Sequence, residues 1–293
     1  MNKNTDKNTI KITINITDKI SDNDEKNIIK MLLSNKTEYF YNKLTNEEIQ
    51  EILKHYKNIN KCIIQSIKST YIKEHIIFGF ENLKKNITSI IDDYKTMNIL
   101  KLSLKYKNTP LTILRVIFQS SMSKDKVKQI FKNPSVLNDY DFSQFKLAID
   151  NDFYSISDNK QMQEAINFEY KIEDFLNKNN IHYKTQNMLS EEQIKQYGVA
   201  INTPDFLITD RKGSNSQSRI SDKLLINNHE INWIDAKNFY GSNSKFIIDK
   251  IKKQIKKYIN TYGNGCIVFS CGYNDKLHFD NVLLLSYKDL NNN

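Results

Sequence analysis

From about residue 44 to residue 152, apolar side chains recur at intervals of three and four, the spacing that lines one face of an α-helix. Polar breaks divide this stretch into segments near 45–55, 60–75, 81–94, 97–107, 110–119, 124–131 and 143–150. Thr45 with Glu48 has the form of a capping box, in which each side chain satisfies the other residue's backbone amide. Pro110 falls in a first turn, where its missing N–H leaves no bond unmade. Beyond residue 157 the pattern alternates: a helix over 160–179, a strand over 181–186, a short helix over 190–197, and strands over 205–209 and 231–237. A helix over 244–261 and strands over 266–271 and 282–287 follow. That order suits a mixed central sheet flanked by helices.

Three regions are therefore expected: a low-complexity N-terminal extension over 1–43, an all-α helical domain over 44–152, and an α/β domain over 157–290, with a linker near 151–159. In the extension, Ile10, Ile12, Ile14 and Ile16 alternate as one face of a strand would. Their Asn-, Lys- and Thr-rich setting favours a poorly ordered tail instead, followed by a short helix over 24–34. Residues 211–228 form a polar, mobile excursion between two strands. The segments 100–106 and 111–119 are joined by so short a turn that they form a helix-turn-helix-like pair. In the second of them only Thr112, Arg115 and Gln119 could address a groove, so packing or backbone contact is favoured over base reading.

A net charge of +9 points to a polyanionic partner. That pointer weakens on inspection. Apart from Arg115, Arg211 and Arg219 every basic residue is lysine, and Asn and Ile are heavily used, as an AT-rich coding sequence would produce. The α/β part from residue 157 carries only +2, leaving +7 to the remainder. Three cysteines form no even framework and no Cys-x-x-Cys pair, which suits a reducing, intracellular setting. The five histidines have no zinc-ligand spacing. No apolar leader or membrane-length run is present.

The chemistry concentrates in two short apolar pieces, Thr203-Pro204-Asp205-Phe206-Leu207-Ile208 and Ile231-Asn232-Trp233-Ile234-Asp235-Ala236-Lys237. Period-two alternation puts Asp235 and Lys237 on one face of a strand. If Asp205 ends the neighbouring strand beside them, two carboxylates meet where a hard divalent cation can sit, with an ammonium next to it. By itself a D-x-K is most often a surface ion pair in a lysine-rich chain. Upstream lies Glu169, on a helix whose apolar face is read as Ile166, Tyr170, Ile172 and Leu176. Downstream, Gln254 and Tyr258 are four apart and so are neighbours on one helix. On that helix Ile248, Ile251, Ile255 and Ile259 would pack on the sheet, leaving its lysines to solvent or to phosphate.

Taken together, Glu169, Pro204-Asp205, Asp235-x-Lys237 and Gln254-x-x-x-Tyr258 resemble the PD-(D/E)xK nuclease superfamily. More closely, Thr203-Pro204-Asp205-Phe206, Trp233 to Lys237 with Phe239 and Gly241, and Tyr262-Gly263-Asn264-Gly265 resemble the TPD-motif family that includes the codanin-interacting nuclease. Leu189 to Gln193 and Tyr197-Gly198 fit the same family. Asp235 stands where members often carry glutamate, and Ala165 where related motifs place glycine.

This resemblance implies a restriction-endonuclease-like core and a metal-dependent nuclease acting on DNA or RNA. It implies Asp205, Asp235, Glu169 and the Ala236 carbonyl as ligands of Mg²⁺ or Mn²⁺, and Lys237 and Gln254 as further catalytic residues. Lys250, Lys253, Lys257, Arg115 and Tyr258 are candidate nucleic-acid contacts. The alternative is a nuclease-fold adaptor that binds nucleic acid or a protein such as codanin. No membrane association is expected, and the nucleus or cytoplasm is the implied location.

Overall fold

The computed structural model of the protein describes residues 8–34, 41–155, 159–209, 211–212, 219–220 and 222–291. Packing divides the chain into two units, one of residues 26–158 and one of residues 1–25 with 159–293. Among the described residues no helix is long and apolar enough to cross a membrane.

The helices up to residue 151 are α1 (Asp22–Ser34), α2 (Asn46–His55), α3 (Lys61–Lys85), α4 (Ile87–Tyr94), α5 (Ile99–Tyr106), α6 (Pro110–Ser121), α7 (Lys124–Lys132) and α8 (Asp139–Asn151). Their starts are fixed locally. Thr45 and Glu48 form the reciprocal capping box, and the side chains of Asn60, Asn98 and Asn138 each accept an amide of the first turn they precede. Several of the abundant asparagines are thus helix caps. Two of the sequence segments merge: α3 continues past His75 to Lys85 and meets α4 at Asn86.

In the helix-turn-helix-like pair, α5 ends on Lys107 in the left-handed region, and Thr109 caps α6. Eight of the twelve α6 residues are buried, from Pro110 through Phe118 with Thr112 among them, in a core shared with Leu100, Leu102, Val127 and Phe145. A helix surrounded on that scale cannot lie in a groove. Arg115 is the exposed exception, and its guanidinium sits 4.9 Å from the Phe131 ring centroid.

The second unit holds the strands β1 (Asn8–Ile12), β2 (Lys19–Ile20), β3 (Tyr183–Thr185), β4 (Phe206–Ile208), β5 (Arg211–Lys212), β6 (Arg219–Ile220), β7 (Asp222–Ile226), β8 (His229–Glu230), β9 (Trp233–Lys237), β10 (Gly265–Phe269), β11 (Tyr273–Asn274) and β12 (Val282–Ser286). Its helices are α9 (Asn159–Lys178), α10 (Gln186–Tyr197), α11 (Lys245–Tyr262) and α12 (Tyr287–Asn291). Five strands form one mixed sheet in the order β12-β10-β9-β4-β3, with β9, β10 and β12 parallel and β4 and β3 antiparallel to their neighbours.

Alternate residues of this sheet sort to its two faces, as the pleat requires. Phe206, Ile234, Cys266, Val268 and Leu285 pack with Phe168, Ile172 and Leu176 of α9. Trp233, Ile267, Phe269 and Leu284 pack with Ile247, Ile251, Ile255 and Tyr258 of α11. The buried rows differ slightly from those read in the sequence: Tyr170 is 59% exposed, and Ile247 and Tyr258 are buried more fully than Ile248 and Ile259. The Trp233 indole lies flat against Gly265, where an added Cβ would come within 2.1 Å of the ring. Only glycine admits that approach, which seats β9 on β10.

The N-terminal stretch expected as a poorly ordered extension is instead built into this unit, though residues 1–7 and 35–40 lie outside the described residues. Strand β1 pairs in parallel with β7, and β2 with β11. The Asn227 side chain exchanges two hydrogen bonds with the Ile14 backbone, at 2.7 and 2.9 Å. The buried carboxylate of Asp289 accepts the amides of Thr17, Asp18 and Ser286. Buried Glu25 accepts from Tyr240, Ser242 and Asn274. The isoleucine alternation was a true strand signal, because Ile14 found a core to enter whose other buried residues lie more than 150 residues away in sequence. Likewise the polar excursion contains strands β5, β6 and β7; its residues 213–218 and 221, like residue 210 before it and residues 156–158 of the linker, lie outside the described residues.

Candidate active site

Strand β9 is the central strand of the five, so side chains at its C-terminal end emerge between neighbours on both sides. Trp233, Asp235 and Lys237 alternate onto the α11 face, and the carboxylate and ammonium form an ion pair there. The antiparallel register pairs Phe206 with Ile234 and Leu207 with Trp233, which carried on by one residue sets Asp205 opposite Asp235. Asp205 Oδ2 accepts the Ala236 amide at 2.7 Å. Asp235 is only 1% exposed.

Helix α11 supplies the next layer. Gln254 accepts from Lys237 Nζ through Oε1 at 2.9 Å and donates from Nε2 to Asp235 Oδ1 at 3.2 Å and to the Tyr258 hydroxyl at 3.0 Å. Tyr258 in turn donates to the Thr203 carbonyl at 3.3 Å. One amide therefore fixes the positions of both charged side chains, and the tyrosine ties that amide to the Thr203-Pro204-Asp205 segment.

Electrostatically the site is under tension. Burial, and then the neighbouring charge of Asp235, push Asp205 up to about 7, against the opposing pull of the Ala236 amide and Lys237. Asp235 is also shifted upward, by burial, with Lys237 working the other way. Glu169 is raised for the same reasons, burial first and Asp235 second.

The structure brings Asp205, Asp235, Lys237, Gln254 and the Ala236 backbone together. Glu169 belongs to α9, whose core residues pack on the opposite face of the sheet, and it reaches the others through their field. Accordingly, among the described residues no group of three or more His, Cys, Asp or Glu side chains is placed to hold a metal ion. The donor set still fits a hard dication that takes two carboxylates and keeps several waters. Asp235 Oδ2 is the decisive atom: it is buried, and although it faces Lys237 as an ion pair, no hydrogen bond of ordinary geometry reaches it.

The candidate nucleic-acid contacts separate. Lys250, Lys253 and Lys257 are exposed along α11, and Lys250 Nζ lies 5.8 Å from the Phe239 ring centroid. Tyr258 is a correction: it is 6% exposed, its ring packs edge-on to Trp233 at 5.3 Å, and it serves as an internal brace. Arg115 belongs to the helical unit.

A model of the TPD sequence-motif, described as a protein of unknown function, matches residues 139–288. The chain belongs to the TPD sequence-motif family. In this TPD chain the tripeptide that carries the name is Thr203-Pro204-Asp205, the segment that sets Asp205 opposite β9. Similarity to a viral protein extends further: the "Uncharacterized protein L539" of Acanthamoeba polyphaga mimivirus is 25% identical over 237 residues, covering 77% of this chain and 81% of that one. No solved structure matches the chain.

Four further residues brace the TPD segment, and of these Gln193 and Tyr262 stand out in the sequence only as motif positions, while Asn202 and Thr261 do not stand out at all. Gln193 Oε1 accepts the amides of Ile201 and Asn202, while its Nε2 donates to the Asn202 carbonyl at 2.7 Å. Asn202 bonds Thr261 at 2.8 Å, and its carbonyl accepts the Tyr262 hydroxyl at 2.8 Å. The two Asn202 contacts join residues 59 and 60 apart, and no local spacing announces them.

Proposed function

We propose that this TPD-family chain is a divalent-metal-dependent nuclease of the PD-(D/E)xK type, built on a restriction-endonuclease-like core. The observation that carries the reading is the convergence of one buried carboxylate, one half-buried carboxylate and one lysine on a single point. Leaving like charges buried side by side costs free energy unless a cation or a proton offsets it.

Asp205 and Asp235 would hold Mg²⁺ or Mn²⁺, with the Ala236 carbonyl as a backbone ligand and Glu169 acting through water. When bound, such an ion polarises a phosphoryl oxygen and makes water acidic enough to attack. Lys237 orients the attacking water and offsets the charge that grows on the phosphate oxygens. Gln254 holds the ammonium in that position, and Tyr258 holds Gln254. Thr203 to Asp205 is kept in register with β9 by the same brace.

The test is a cleavage panel of single-stranded, duplex, flapped and branched DNA and RNA, with and without Mg²⁺ or Mn²⁺. Metal-dependent cleavage that disappears in Asp235→Ala and Lys237→Ala supports the reading, and metal-independent or unaltered cleavage removes it. A second reading, a nuclease-fold adaptor that binds nucleic acid or a codanin-like protein without cutting, is favoured by the closure of the site. Lys237 is only 12% exposed and already engaged by Asp235. In that case the panel yields binding and no products with any substitution.

A further inference from the structure

The last turn of α10 and the chain just after it hold their apolar side chains away from the core. Ile194, Tyr197, Val199 and Ile201 are 51%, 58%, 56% and 55% exposed, within eight residues of each other. Looseness does not account for this. Gly198 closes α10 in the left-handed region, the Gln193 amide bonds the backbone at Ile201 and Asn202, and Asn202 is tied to Thr261 and Tyr262. A segment fixed at so many points, yet displaying an aromatic ring and three aliphatic side chains, is a preformed surface.

What it fits is indicated by the helix it is tied to. On α11, Lys250, Lys257 and Thr261 fall within about 60° of Gln254 around the helix axis at 100° per residue, and Lys253 lies beside them. The three lysines are exposed, and the helix's one acid, Asp249, is paired with Lys245 at 2.6 Å. Across the α10 turn the charges nearly cancel, with Glu191 and Lys195 exposed and Glu192 paired with Lys184. A basic row thus passes the Asp235–Lys237–Gln254 cluster and ends, at Thr261, on the apolar turn.

We propose that this track receives a single-stranded polynucleotide, its phosphates along Lys250, Lys253 and Lys257 and its unstacked bases against Tyr197 and Ile201. The pairing of charge with apolar surface selects the substrate class. A duplex offers phosphates but keeps its base faces stacked, whereas a single strand offers both. The inference deepens the nuclease reading and rests on it for the chemistry, while binding itself is measurable with no metal present.

The experiment measures fluorescence anisotropy of labelled thymidine and uridine oligonucleotides, and of a matched duplex, with the full chain in EDTA. Expected are tighter binding of the single strands, about 10-fold weaker binding of them in Tyr197→Ser with Ile201→Ser, and near-native binding in Tyr197→Phe. Replacing Lys250, Lys253 and Lys257 by glutamine flattens the salt dependence. An unchanged melting temperature shows that the variants are folded. Equal affinity for duplex and single strand, or single-strand affinity indifferent to the turn, overturns the proposal and leaves the patch to a protein partner. The two readings fail separately: metal-dependent cleavage with no single-strand preference removes only this inference, and turn-dependent binding without cleavage removes only the nuclease.

Discussion

Asp205 and Asp235 face each other across the antiparallel β4–β9 pair, and the charge of the second is, after burial, the main reason the first holds its proton up to about pH 7. Strands β4 and β9 are joined as well by their backbones and by Phe206, Ile234 and Trp233. Each prediction below tests a consequence of that arrangement or of the scaffold that imposes it.

The first concerns pH in the absence of metal. An acid whose folded-state pKa lies above its unfolded value stabilises the fold fully below the unfolded pKa and loses that contribution as pH rises through the folded one. For Asp205 the window runs from about 4 to about 7. Chelator-treated protein should lose about 2 kcal/mol of stability between pH 5 and pH 8 from this pair, a figure discounted for its partial exposure. Urea midpoints across that range check the slope, and Asp205→Asn should flatten it.

Metal should act in the opposite direction. At pH 8 a dication at ten times its dissociation constant adds about 1.4 kcal/mol, which corresponds to a rise of roughly 3–6 °C in melting temperature for a domain of this size. Proton competition at Asp205 should make the rise smaller at pH 6. Equal rises in the native chain and Asp235→Ala would place the metal elsewhere.

Lys237 and Gln254 should separate in kinetics. Lys237→Ala removes the charge itself and is expected to lower cleavage by about 100-fold or more. Gln254→Ala leaves the charge but frees its position, with an expected loss of about 10-fold. Single-turnover rates at saturating metal distinguish the two, and melting curves report whether Asp235, deprived of Lys237, costs stability as well.

Gly265→Ala tests the seat of β9. The added methyl group meets the Trp233 ring, so destabilisation of about 2 kcal/mol or more is expected. Trp233 is the single tryptophan, which makes the native emission spectrum a direct readout of its displacement.

Asp289→Ala tests the attachment of the N-terminal segment. It leaves the Thr17, Asp18 and Ser286 amides without their shared acceptor, at an expected cost of about 2–4 kcal/mol. Faster hydrogen exchange confined to residues 8–20 and their pairing partners would locate the effect. Wild-type exchange there would mean that the segment is held by other contacts.

By itself the sequence determined what depends on near neighbours. The capping box at Thr45 and Glu48, the helical periods of α5 and α6, the pairing of Gln254 with Tyr258 across one turn, and the shared face of Asp235 and Lys237 all follow from spacings of two to four residues. Only the tertiary structure decided that the alternating isoleucines before Ile16 are strand and edge of a core, because their partners lie more than 200 residues away. It decided, too, that Tyr258 is a brace and α6 a buried helix, since a side chain's exposure depends on what packs over it. The same holds for Glu169: the helix register put an acid at that position, and the side of the sheet on which α9 docks sets its distance from the paired aspartates.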